Sequence, residues 1–82
     1  MKEYNQIKSN IITNLLDPFY KWTSVPKANK NIVYNNIRSK FPFPFSVNEK
    51  DIMTANLGDN ILIDIKVHWK ESGNNVVISN FS

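Results

Sequence analysis

From Ile61 to Lys70 the chain alternates. Ile61, Ile63, Ile65, Val67 and Trp69 fall on one side, and Leu62, Asp64, Lys66, His68 and Lys70 on the other. A two-residue repeat rich in β-branched side chains predicts a half-buried strand, because successive side chains point to opposite faces. A helix through these residues competes with that reading, but β-branched groups suit a pleated surface better. Residues 71–75 form a polar turn around Gly73, and residues 76–81 predict the returning strand. A lone hairpin is marginal in water. Its isoleucine face therefore needs a cover, and the first sixty residues or a second chain must supply it.

Residues 3–16 fit an amphipathic helix. At about 100° per residue, Tyr4, Ile7, Ile11, Ile12, Leu15 and Leu16 share one sector, with Lys8 snorkelling from it. The same sector continues through Phe19 and Trp22. Asp17-Pro18 reads as a restart, with aspartate as N-cap and proline at the first helical position, so the helix kinks or yields to a short second turn. After the break at residues 23–26, a second helix is predicted over 26–40, with Ile32, Val33 and Ile37 inward. Pro42 ends it. Ser46-Val47-Asn48-Glu49 has the form of a capping box. It predicts a short third helix with Ile52 and Met53 inward and Gly58 as its stop.

The expected fold class is thus α+β, three helices followed by a C-terminal β-hairpin, in one small domain over residues 1–82. Winged helix-turn-helix domains share that order of elements. In such a domain the third helix enters the major groove. Here that helix would carry Lys50 against Glu49 and Asp51, which ill suits it to reading DNA.

With 82 residues and no cysteine, the chain has no disulfide or thiolate metal site to support a small core. No secretory signal or membrane-length apolar run is visible, which makes the cytoplasm the expected compartment. Two distant glycines, Gly58 and Gly73, cannot build a phosphate-cradling loop. His68 stands alone on the polar strand face, and Asp59, Asp64 and His68 match no closed metal site. No catalytic residue, metal ligand or cofactor is therefore expected, and the chain reads as non-enzymatic. Asparagine, lysine and isoleucine are abundant, as AT-rich coding produces in many phages and some bacteria.

The charge pattern points to a partner. Residues 18–48 hold five basic side chains, Lys21, Lys27, Lys30, Arg38 and Lys40, and no acid. On a helix, Lys27, Lys30, Tyr34 and Arg38 fall within about 80°, roughly opposite Ile32 and Val33. Such a stripe is either a solvated face or a track for an anionic partner, nucleic acid included. Phe41-Pro42-Phe43-Pro44-Phe45 is stiff and apolar. Phe41 and Phe45 are expected in the core, and Phe43 partly exposed for docking. The expected function is a small accessory or regulatory protein of phage or mobile-element type. It would bind another protein, itself included, and so adjust transcription, lysis or host defence. Its contact residues would be Phe43, Tyr34, Lys27, Lys30 and Arg38. The second expectation is a winged helix-turn-helix DNA binder.

Overall fold

The computed structural model describes residues 2–82. The chain opens with a helical rod in which α1 (Lys2–Ile11), a π-helical stretch (Ile12–Leu16) and α2 (Asp17–Tyr20) follow without a break. Pro18 explains the middle stretch. It has no amide to offer the carbonyl four residues back, and its ring crowds that carbonyl. The backbone widens instead, and the Asp17 N–H donates to the Ile12 carbonyl, five residues back. Asp17 is therefore not an N-cap. It lies inside the rod, and one of its carboxylate oxygens is buried with no partner among the described residues.

After the rod come β1 (Ser24–Pro26), a 3-10 turn (Lys27–Asn29) and α3 (Lys30–Lys40), then β2 (Phe45–Val47), β3 (Ile52–Asn56), β4 (Leu62–Ser72) and β5 (Asn75–Phe81). The strands form one antiparallel sheet in the order β1-β5-β4-β3-β2. β4 gives it a curl. Residues 62–66 of β4 pair with β3, and Val67 onward pairs with β5 across an irregularity at His68/Trp69. An extra residue in β5, Ser79, is tied there by its hydroxyl to the His68 carbonyl at 3.1 Å. Bulges of this kind bend a sheet.

The expected order of three helices and a hairpin is wrong at the third helix, and the winged arrangement falls with it. Residues 45–56 are the β2–β3 hairpin. Asn48 decides the matter locally. Its side-chain oxygen accepts the amides of Lys50 (2.8 Å) and Ile52 (3.1 Å), which closes a turn where the capping box would have opened a helix. Gly58, expected as a helix stop, sits in the β3–β4 turn at φ 92°. The predicted C-terminal hairpin is present as β4 and β5.

One apolar core meets the demand set by the alternation. Ile63, Ile65 and Val67 of β4 pack with Met53, Ala55, Ile78 and Phe81 on the inner face of the sheet. Ile11, Leu16 and Tyr20 of the rod and Val33, Tyr34 and Ile37 of α3 cover them. Ile32, expected inward, is 53% exposed. α3 touches β1 at one edge of the sheet, and its Arg38 reaches Phe45 of β2 at the other. The outer face carries Thr54 and Asp64, hydrogen-bonded at 2.9 Å. Among the described residues no helix is long and apolar enough to cross a membrane.

Candidate protein-binding site

The basic stripe does not stand opposite the core. Tyr34 is buried beside Val33 and Ile37, so this side of α3 faces the sheet. Each member of the stripe meets a strand or turn. Lys27 pairs with Glu71 of β4 at 3.0 Å. Lys30 reaches Asp51 at 3.1 Å and lies 5.3 Å from the centre of the Trp69 ring. The Tyr34 hydroxyl donates to Asp51 at 2.9 Å and accepts from the Trp69 indole N–H at 3.0 Å. Burial pushes the Tyr34 hydroxyl pKa well above the ordinary tyrosine value. Trp69 lowers it by donating, and Asp51 raises it through hydrogen bond and charge. Arg38 stacks 4.4 Å from the Phe45 ring and donates to the Phe45 carbonyl. That carbonyl points away from β3, because its neighbour Pro44 is the residue whose carbonyl accepts the Asn56 amide at 2.9 Å. The stripe is thus a polar seam between α3 and the sheet.

The Phe-Pro stretch divides as expected. Phe41 and Phe45 are buried, with ring centres 5.7 Å apart and edge to face. Phe43 is half-buried and rests edge-on against Phe41 at 5.6 Å. Phe41 and Pro42, with Lys40, form one wall of a cleft of about 260 Å³; Leu15, Phe19 and Tyr20 of the rod form the other.

The π stretch accounts for that second wall. In an uninterrupted helix, Phe19 would lie at the centre of the buried sector with Tyr4, Ile11 and Leu15, at about 100° per residue. The π turn spends one extra residue, so everything after it is rotated back by about one residue's angle. Leu16 and Tyr20 become the inward residues, and Phe19 moves to the flank, 65% exposed. In the sequence, Pro18 inside a continuous apolar sector marks a disturbance of the helix but not the one-residue rotation that it takes.

Trp22 adds a second exposed aromatic, 66% exposed. Its φ of 70° is left-handed, a region that bulky side chains rarely adopt. Its amide donates to the Ile78 carbonyl at 2.7 Å, which holds the rod's exit onto β5. The ring meets the Lys21 ammonium at 5.6 Å. Glycine would adopt this backbone freely, relieving about 1–2 kcal/mol of local strain against about 0.5–1 kcal/mol of lost chain stiffness. Trp22→Gly is therefore expected to stay within about 1 kcal/mol of the parent in urea unfolding. A larger loss would mean the ring packs as core.

His68 lies 2.5 Å from the Ser82 hydroxyl, and Asp64 is engaged by Thr54. Among the described residues, no three His, Cys, Asp or Glu side chains come together as a metal cluster. No protein-family model matches the sequence, and neither curated proteins nor solved structures give a match.

Proposed function

We propose that this chain is a non-enzymatic accessory protein that works by binding another protein through the cleft between the rod and the Phe-Pro stretch. The observation that carries this reading is Phe19. The π turn rotates an aromatic ring out of the core and sets it beside an apolar hollow. π turns recur at functional sites, and exposed aromatics beside a pocket are the usual anchors of protein interfaces. The cleft volume of about 260 Å³ lies below the roughly 300–1,000 Å³ of small-molecule sites and suits a single side chain. Phe43 supports the wall through Phe41, so its contribution to binding is indirect. Lys30, Tyr34 and Arg38 contribute by holding α3 in place, and Lys27 joins the turn before it to β4 through an exposed ion pair. An accessory role in transcription, lysis or host defence fits a small binding module of this kind.

The test is affinity capture from cells that express the chain, comparing the parent with Phe19→Ser. An exposed ring should be removable at little cost, within about 0.5 kcal/mol of folding stability. The expected result is a retained protein that disappears with Phe19→Ser while thermal melting stays the same. Identical retained proteins for the two would remove the cleft as the binding surface.

A further inference from the structure

We infer that the partner segment entering the cleft is acidic: one large apolar side chain flanked by aspartate or glutamate. This rests on the cleft being a protein-binding site, and it adds the chemistry of what is bound. The two walls are apolar at Leu15, Phe19, Phe41 and Pro42, and Lys40 stands in the same wall as Phe41 and Pro42. Lys21 directly follows Tyr20 of the cleft's helical wall, and its ammonium lies 5.6 Å from the centre of the Trp22 ring. The ion pairs among the described residues are Lys27–Glu71 and Lys30–Asp51, so Lys21 and Lys40 have no carboxylate partner there. Asp17, four residues before Lys21, makes no ion pair with it. From Pro18 to Asn48 the chain itself holds no acid.

Charge complementarity across an interface selects partners and speeds encounter. An apolar anchor would fill the hollow, and carboxylates beside it would meet Lys21 and Lys40. The same charges argue against a second copy as occupant. A two-fold interface sets one patch against itself, so each lysine would face the equivalent basic rim.

The probe is a displayed library of random twelve-residue peptides, selected on the parent protein and counter-selected on Phe19→Ser. The expected winners combine Trp, Phe or Leu with at least two Asp or Glu close by. A synthetic winner should bind the Lys21→Glu/Lys40→Glu double variant at least ten-fold more weakly, and both variants should melt like the parent. Phe19-dependent winners that lack acids, or whose affinity ignores the double substitution, would overturn the acidic chemistry while leaving the cleft as a protein-binding site. A selection that yields no Phe19-dependent peptide would overturn the underlying reading as well. A dimer in sedimentation that Phe19→Ser dissociates would make the occupant a second copy and overturn the inference.

Discussion

Phe41→Ala is expected to destabilise the protein by about 3–5 kcal/mol, the usual range for truncating a buried phenylalanine. Phe41 is buried and touches Phe43 and Phe45 edge to face, so its removal leaves a void and strips both neighbours of a partner. A small domain has about 5–15 kcal/mol to lose at most, so the variant should unfold well below the parent. Phe43→Ala should cost far less, because its ring is already half in water. The measurement is urea unfolding of the two variants side by side. Equal losses would show that the Phe-Pro stretch is a uniform plug. In that case Phe43 would be core, with no share in a binding wall.

The second large effect is alkaline. Burial, the leading cause, raises the Tyr34 hydroxyl pKa. Burial raises that of Tyr20 too. Above the ordinary tyrosine pKa of about 10, the unfolded chain gives up the proton while the folded chain keeps it. The folded state then binds more protons than the unfolded state, so stability falls as pH rises. The Tyr34 contribution is fully present below about pH 10 and declines by at most about 1.4 kcal/mol per pH unit above it. Tyr34→Phe should lose about 1–3 kcal/mol at pH 8, because Asp51 loses a donor and the Trp69 indole an acceptor. Its deficit should then shrink above pH 10. The Tyr20 contribution persists in the variant. A deficit that stays constant from pH 8 to about 11.5 would mean that the hydroxyl titrates as it does in the unfolded chain.

The β4–β5 hairpin was legible because its period is unambiguous. Ile63, Ile65 and Val67 could satisfy only a strand with one buried face. The third helix was misread because Ser46-Val47-Asn48-Glu49 satisfies a capping formula and a turn formula equally well. Phe45 and Val47 before it, and Met53 and Ala55 after it, alternate as strands do. That alternation was masked by Ile52 lying next to Met53. The side of α3 that faces the core was undecidable from the helix alone. Ile32 and Tyr34 competed for it. Tyr34 won because Asp51 and Trp69, brought together by strand pairing far along the chain, satisfy its hydroxyl. Phe41 and Phe45 were legible as core from the elements they adjoin. Phe19 was not, since its exposure depends on a one-residue shift caused by Pro18.

The two edges of the sheet carry a consequence for the molecule's behaviour in a crowded solution. An open strand edge is a template onto which another chain can add, and that is how sheets grow into fibres. Here both terminal strands, β1 and β2, are three residues long. Pro26 removes an amide from β1, and Arg38 occupies the outward carbonyl of Phe45 on β2. The arginine that secures α3 to the sheet also plugs the place where a foreign strand would begin to pair. A chain with five strands and little stability to spare is thereby protected against polymerisation in its folded form, and this protection lasts only as long as α3 stays docked.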